Sequence, residues 1–311
     1  MQNAEKNAIT DKDAADAALK AGLLTGLAAY VLWGAMPIYL KALNGVSALE
    51  ILCHRIFWSV PFGALIVTTR RQWREVFAAL RDKRVLWMLA LSALAISLNW
   101  LIYVWAVVNE RIIEASLGYY INPLMYVAAG VFILGERLRT AQIVAVCLAA
   151  AGVAVLTVGA GVFPIISLSL AVLFTAYGYI RKTTNVGAMP GLFIEVLLLS
   201  PMAFVYVLWL MQAGEAAFLN GAGAIDVLLV LAGPVTVVPL VMFALAARRL
   251  RLTTLGLLQY ITPTLQLLLG VYFGETFTLY HAVCFGLIWS ALAIYSGDAF
   301  RENRRKVSRS V

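Results

Sequence analysis

Apolar stretches of about 20 residues alternate with short polar segments along most of the chain. The hydrocarbon core of a bilayer is roughly 30 Å thick, so an α-helix needs about 20 apolar residues to cross it. Hydropathy therefore predicts an all-α membrane protein with ten transmembrane helices. The predicted spans are residues 22–41, 48–68, 86–108, 113–134, 139–158, 165–181, 190–211, 224–247, 253–273 and 279–297.

The fourth and ninth predicted spans carry nearly the same motif. Tyr-Ile-Asn-Pro at 120–123 returns as Tyr-Ile-Thr-Pro at 260–263. Gly135-Glu136 follows the first copy, and Gly274-Glu275 follows the second. Internal duplication of membrane spans is typical of secondary transporter folds, whose substrate site lies between the two copies near the bilayer midplane.

The duplication predicts two repeats of five helices each around a central cavity. Because five is odd, the second repeat must be inserted upside down relative to the first. The predicted segments are an N-terminal cytoplasmic segment at 1–20, the first repeat at 21–160, the inverted second repeat at 161–298 and a basic cytoplasmic tail at 299–311.

Composition and charge agree with a membrane protein of one fixed orientation. The chain is 62% hydrophobic and 13% charged, whereas soluble domains are usually about a quarter charged. All of the 24 Lys and Arg residues except Lys41, Arg55 and Arg111 fall on one side of the predicted topology. By the positive-inside rule that side is the cytoplasm, so both termini are expected there, in a bacterial-type inner membrane. The net charge of +8 is then an orientation signal, and no nucleic-acid partner is expected.

Small residues indicate where helices pack closely. Gly22 and Gly26 form a small-xxx-small pair in the first span, and the fifth span is rich in Ala and Gly around Cys147. We expect mainly packing within the chain, so a monomer is favoured and a dimer stays open. The three cysteines lie in three different spans, which implies no disulfide framework.

The second span contains an unusual group of polar residues. Glu50, His54 and Trp58 are spaced four apart and share one helix face, with Arg55 beside it. A charged side chain in hydrocarbon costs roughly 2.5–3.5 kcal/mol, so it usually faces a cavity or a partner. We predict that Glu50, His54 and Trp58 contact substrate. The alternative for Glu50 is a carboxylate that reaches the outer interface.

Three further spans present polar stripes at helical spacing. A buried amide without a partner is costly, so such residues are candidates for lining a polar cavity. Tyr and Trp also populate membrane interfaces, which is the alternative for the aromatic members. The predicted substrate-binding residues of these spans are Asn99, Tyr103, Tyr119, Asn122, Gln259, Thr262 and Gln266.

Pro123 and Pro263 occupy equivalent positions in the two repeats. A proline inside a helix removes one backbone hydrogen bond and kinks the helix. Its recurrence in both copies predicts paired hinge or gating elements.

Several chemistries have no sequence support. There is no GxxxxGK[ST] phosphate-binding loop, and no GxSxG, HExxH or CxxC motif. Only two histidines, His54 and His281, are available. We therefore expect no enzyme activity, no cofactor and no metal.

Several strings resemble the drug/metabolite transporter superfamily with EamA-type repeats, and more narrowly its RarD group and YddG-like exporters. The strings include Glu50-Ile51-Leu52-Cys53-His54-Arg55, Asn99-Trp100-Leu101-Ile102-Tyr103 and Gln259-Tyr260-Ile261-Thr262-Pro263. The resemblance implies an inner-membrane carrier with a central cavity that exports small molecules by alternating access. It supplies no binding residues, so the predicted sites rest on polarity.

The resulting hypothesis is a secondary active exporter of aromatic or neutral amino acids and related metabolites or drugs. Glu50, His54 or Glu195 could carry a proton, and uniport fits equally well. Two other interpretations stay open: a translocator of lipids or lipid-linked metabolites, and a membrane sensor or assembly protein that transports nothing.

Overall fold

The computed structural model describes residues 19–134, 140–161, 163–220, 223–247, 249–250, 254–255 and 258–309. Within these ranges every regular element is a helix, which confirms the predicted all-α class. The helices are α1 (Leu19–Ala42, with a turn at Ala35), α2 (Ala48–Thr69), α3 (Trp73–Arg81), α4 (Lys83–Val108), α5 (Ile112–Leu134), α6 (Thr140–Ala160), α7 (Ile165–Thr183), α8 (Ala188–Ala213), α9 (Gly223–Ala247), α10 (Ile261–Tyr272) and α11 (Leu279–Arg309).

Most of the predicted spans coincide with helices of membrane-spanning length. Eight helices in the described part of the chain are long and apolar enough to cross a bilayer. The predicted fourth span corresponds to α5, and the predicted ninth span contains the shorter α10. The count of ten spans therefore stays a prediction.

Large apolar side chains point outward from these helices. Val158 is 84% exposed, Met202 74% and Leu279 76%. Exposed apolar surface of this extent is unfavourable in water but matches the hydrocarbon of a bilayer. The chain is a multi-pass membrane protein.

The helices group into two compact units. One comprises the described parts of Met1–Leu43, Cys53–Ala78 and Val186–Leu265, and the other those of Asn44–Leu52, Ala79–Asn185 and Gln266–Val311. Each unit takes helices from both predicted repeats. The boundaries of the repeats stay a prediction, because packing groups helices by contact and duplication groups them by ancestry.

Small residues in the first unit allow α1 to pack closely, as predicted. A Cβ atom at Gly22 would lie only 2.8 Å from the Cβ atom of Arg249. A Cβ atom at Gly26 would lie 3.3 Å from that of Ala246 in α9. Contacts of this kind bring helices together where there is no hydrophobic driving force between them.

Close packing in the second unit involves the backbone itself. A Cβ atom at Gly118 in α5 would lie 2.7 Å from the carbonyl oxygen of Ser167 in α7. At Gly152 in α6 it would lie 3.1 Å from the carbonyl oxygen of Cys284 in α11. The second contact confirms the predicted packing role of the small residues in the fifth span.

In the first unit, a carboxylate holds the start of α8. The carboxylate of Glu75 in α3 accepts the backbone N–H of Gly187, the residue before α8. A Cβ atom at Gly187 would lie 2.7 Å from Oε1 of Glu75, so a larger residue would displace this carboxylate. The first N–H groups of a helix have no partner within the helix, and a negative charge there also complements the helix dipole.

In the second unit, the Gly-Glu motif that follows the second proline motif also holds the start of a helix. Glu275 accepts the backbone N–H groups of Ile112 and Ile113, with Oε1 and Oε2 at 2.6 and 2.8 Å. Gly274 has φ +89°, a conformation that favours glycine and turns the carboxylate back toward α5. The motif therefore caps the start of α5. Its predicted counterpart Gly135-Glu136 lies outside the described residues.

Replacing Glu275 tests this cap. Glu275→Ala leaves two N–H groups without their acceptor and should lower the free energy of unfolding by about 1–2 kcal/mol. Glu275→Gln keeps one acceptor oxygen and should lose less. Unfolding of the purified protein in detergent micelles measures both, with Glu215→Ala, an exposed loop carboxylate, as the control. Equal stability of Glu275→Ala and the control would show that the cap contributes nothing.

Candidate functional site

His54 and Trp58 lie one turn apart on α2 in the first unit, as predicted. The indole Nε1–H of Trp58 donates to Nδ1 of His54 at 3.2 Å. Because Nδ1 accepts this bond, the neutral imidazole carries its proton on Nε2. His54 is 2% exposed, and its Nε2–H has no hydrogen-bond partner among the residues that the structure describes.

The connection between α8 and α9 covers His54. The ring of Phe218 lies 4.8 Å from the imidazole, centroid to centroid. Next to it, the backbone N–H of Leu219 donates to Oδ1 of Asp226 in the first turn of α9 at 2.7 Å. Phe218 was not predicted as a site residue, because nothing in a loop phenylalanine indicates which span it packs against.

Glu50 lies in the first turn of α2 and is 2% exposed. Such burial is inconsistent with a carboxylate that reaches out from the interface. The backbone N–H of Glu50 donates to Oγ of Ser47 at 3.2 Å, which is one half of a capping box. The Ser-x-x-Glu spacing of that box is present in the sequence, so Glu50 occupies a helix-capping position as well as a predicted site position.

Three predicted residues come together in the second unit. Nε2 of Gln266 in α10 donates to the hydroxyl of Tyr103 in α4 at 2.9 Å. The ring of Tyr103 packs edge-on against Tyr119 of α5 at 5.7 Å, and Tyr119 packs edge-on against Phe174 of α7 at 6.2 Å. The hydrogen-bonded pair of Gln266 and Tyr103 thus lies beside the aromatic rings of Tyr119 and Phe174.

Asn99 and Asn122, the two asparagines predicted to bind substrate, differ in their contacts. Nδ2 of Asn99 donates to the carbonyl oxygen of Leu170 at 3.0 Å, which joins α4 to α7. Asn122 in α5 is fully buried, yet neither its Nδ2 nor its Oδ1 has a hydrogen-bond partner in the described part of the chain. The bond of Asn99 therefore joins two helices, whereas Asn122 makes no such bond in the described part of the chain.

Around Pro263 the chain is not a continuous kinked helix. Gln259 and Tyr260 form a turn, and α10 begins at Ile261, so Pro263 lies in its first turn. In a first turn the missing N–H of proline costs no helix hydrogen bond. Pro123, in contrast, lies inside α5.

Thr262 and Gln259 differ in how well they are fixed. Oγ1 of Thr262 donates to the carbonyl oxygen of Tyr30 in α1 at 2.8 Å, within the first unit. Gln259 is half-buried at the turn. Irregular backbone at membrane depth is tolerated where protein or a cavity surrounds it, which keeps this turn a candidate for substrate contact.

Comparisons with known proteins identify the family. The sequence model of the EamA-like transporter family matches residues 20–158. An uncharacterized transporter of Vibrio cholerae is 45% identical over 91% of this chain and 94% of its own length. Protein RarD of Streptomyces exfoliatus is 45% identical over 93% and 92%. The chloramphenicol-sensitive protein RarD of Pseudomonas aeruginosa is 32% identical over 93% and 98%.

A solved crystal structure of a protein with 22% sequence identity has the same fold. It superposes with a TM-score of 0.56 over 88% of this chain and 96% of its own. The helical membrane architecture, together with relatives that match nearly the whole chain, shows that it belongs to the RarD group of the drug/metabolite transporter superfamily.

Proposed function

We propose that the protein is a secondary transporter that exports small aromatic or neutral amino acids and related metabolites or drugs by alternating access. It would act in the inner membrane with both termini in the cytoplasm, as a monomer, and without a cofactor. The relatives named as transporters support the general class.

The observation that carries the proposal is the Asn122 side chain. A buried amide that makes no hydrogen bond costs roughly 1–3 kcal/mol, and a leucine at that position would avoid the cost. The described part of the chain offers no internal partner for either amide atom. A solute with a donor and an acceptor would satisfy both atoms and would offset the cost of burying the amide.

The surroundings of Asn122 favour a solute with an aromatic or apolar part. Tyr119 lies one turn before Asn122 on α5, and its ring continues the edge-to-face contacts with Tyr103 and Phe174. Aromatic faces and edges bind another ring in defined geometries and add about 0.5–1.5 kcal/mol beyond area burial. An amide next to such rings complements a molecule with one polar end and one apolar end.

The remaining predicted residues are candidates of second rank. Glu50, His54, Trp58, Gln259, Thr262 and Gln266 are proposed to contact substrate in some step of the transport cycle. For Asn99, the bond to the Leu170 carbonyl oxygen favours a packing role. Pro123 and Pro263 are proposed as hinges, with Pro263 acting through the turn that precedes it. One relative is named chloramphenicol-sensitive, so chloramphenicol belongs among the compounds to test.

The direct test is counterflow in proteoliposomes. Vesicles loaded with unlabelled L-phenylalanine, L-leucine or chloramphenicol should accumulate the labelled compound from outside above the level of protein-free vesicles. Accumulation of none of them, by protein that is folded in detergent, would contradict the proposed substrate class.

A pair of asparagine variants separates substrate binding from packing. Asn122→Leu should leave the free energy of unfolding unchanged or raised, since it removes an unsatisfied amide. It should reduce counterflow at least about tenfold, because the loss of even one of the two hydrogen bonds to the solute costs roughly 1.4 kcal/mol.

The matched variant Asn99→Leu should lower the stability of the protein and change counterflow less than Asn122→Leu does. It breaks the bond to the Leu170 carbonyl oxygen and should lower the free energy of unfolding by about 1–2 kcal/mol. Thermal unfolding and counterflow, measured on the same preparations, give both results. If Asn122→Leu destabilised the protein as much as Asn99→Leu, Asn122 would be a packing residue.

A pH gradient tests proton coupling. We expect efflux from loaded vesicles to be faster when the outside is more acidic, because each pH unit supplies roughly 1.4 kcal/mol per proton. Among Glu50→Gln, His54→Gln and Glu195→Gln, the variant that removes the proton carrier should lose this response and keep exchange. Identical wild-type rates with and without the gradient would assign uniport.

A further inference from the structure

α3 is a short helix that directly follows the membrane-length helix α2. It has nine residues, whereas a bilayer span needs about 20. α2 ends at Thr69, and the backbone N–H of Gln72 donates to the carbonyl oxygen of Val67 at 2.9 Å. Arg71, between the two helices, has φ +54° and turns the chain. α3 therefore begins where the membrane-spanning α2 leaves the hydrocarbon.

One side of α3 is fixed to α8 within the first unit. Val76 is only 1% exposed. The carboxylate of Glu75 accepts the backbone N–H of Gly187 at the start of α8. The ring of Trp73 packs edge-on against Phe193 of α8, with 5.5 Å between the ring centroids. These contacts fix the direction in which the remaining side of α3 faces.

The remaining side of α3 carries an aromatic pair. Phe77 is 54% exposed and stacks on the half-buried Trp73, with 5.8 Å between the ring centroids. The two residues are four apart, so they lie on the same helix face. Trp and Phe on the apolar face of an amphipathic helix are typical of helices that lie in the plane of the membrane interface. The aromatic pair therefore suits the boundary between acyl chains and headgroups.

Three arginines lie next to the aromatic pair in the chain. Arg70 and Arg71 form the turn before α3, and Arg74 lies in its first turn. Arg71 and Arg74 are exposed, and Arg70 is half-buried. In the described part of the chain, none of the three guanidinium groups has a hydrogen bond or an ion pair. The neighbouring carboxylate of Glu75 is bonded to the start of α8, so it does not neutralise them by contact.

Orientation of the chain in the membrane is the competing explanation for these arginines. An orientation signal needs only positive charge in a connection between spans. It does not need an exposed phenylalanine on a helix that is bonded to α8. A water-soluble protein partner would also use exposed aromatic residues, but α3 begins at the end of a span, where phospholipid headgroups surround the chain. Charge and aromatic surface together favour the headgroup region of the same membrane.

We infer that α3 and the turn before it bind anionic phospholipids of the membrane in which the protein lies. Arg70, Arg71 and Arg74 pair with headgroup phosphates, because a guanidinium presents a planar fork of donors to phosphate oxygens. Trp73 and Phe77 lie among the adjacent acyl chains. A zwitterionic headgroup carries its own positive charge and binds less well. The inference goes beyond the proposed transport function and holds for any transported solute.

A fluorescent probe at position 77 reports which lipids surround α3. The full chain, with its three cysteines replaced by serine and with Phe77→Cys, is labelled with bimane. It is reconstituted into vesicles of equal parts dioleoylphosphatidylglycerol and dioleoylphosphatidylcholine, with bromines on the acyl chains of one lipid at a time. Brominated phosphatidylglycerol should quench the probe at least about twofold more strongly, because each arginine near the surface attracts anionic lipid. The difference should shrink at 1 M salt, where the Debye length falls to about 3 Å.

Two matched triple variants separate this surface from the overall positive charge. Arg70→Gln combined with Arg71→Gln and Arg74→Gln should make the two lipids quench equally. The control removes the same charge from three exposed basic residues elsewhere on the same side of the predicted topology, and it should keep most of the preference. The control combines Lys20→Gln, Lys182→Gln and Arg249→Gln.

Equal quenching by the two lipids in the labelled parent protein would overturn the inference, as would an equal loss of preference in the control. Absence of quenching by either lipid would place α3 in water or against a soluble partner, and would overturn it too. If the arginine variant did not fold, the salt series would decide: a preference that falls at 1 M salt supports the inference, and an unchanged one contradicts it. None of these readings uses transport, so failure of the proposed function would leave the inference standing.

Discussion

The hydrocarbon of a bilayer cannot solvate a polar group, and this constraint governs most of the contacts described for the protein. The first backbone N–H groups of a helix have no acceptor within the helix and take one from a side chain or from water. Glu75 supplies it for α8 in one unit, and Glu275 supplies it for α5 in the other. The first carboxylate comes from the short helix α3 and the second from the connection between α10 and α11, and a glycine leaves room for it or turns it back. These bonds tie α3 to the start of α8, and the connection before α11 to the start of α5.

The same constraint sorts the polar side chains inside the spans. Asn99 and Thr262 each donate a hydrogen bond to a backbone carbonyl oxygen of another helix, so both have a partner within the protein. Asn122 and the Nε2–H of His54 are equally buried but gain nothing from the described residues. A group that costs free energy in the folded protein is retained when it gains free energy in another state, and binding of a solute is such a state. Polarity alone marks candidates, and the hydrogen bonds separate the candidates that have a partner among the described residues from those that have none.

The sequence predicted the helical class well, because hydropathy over about 20 residues is a strong and local signal. It also predicted the close packing of Gly22 and Gly152, since small residues have one evident use between membrane helices. It could not predict that Gln266 bonds to Tyr103, or that Arg55 rests on Thr236, because these pairs join helices far apart in the chain. The Gly-Glu motif was visible as a repeat, but its partner at the start of α5 was not. The sequence predicted that Pro263 kinks a long helix. In the structure the chain turns at Gln259 and Tyr260, and α10 begins at Ile261.

The central claim is that Asn122 faces a transported solute. In protein with Cys53, Cys147 and Cys284 replaced by serine, Asn122→Cys should react with a charged, membrane-impermeant methanethiosulfonate. Saturating L-phenylalanine should slow this reaction. Ser116→Cys, a fully buried site on the same helix whose native hydroxyl bonds to the Ile113 carbonyl oxygen, should stay unreactive. Failure of Asn122→Cys to react from either side of the membrane, or a reaction rate that no transported compound changes, would contradict the account.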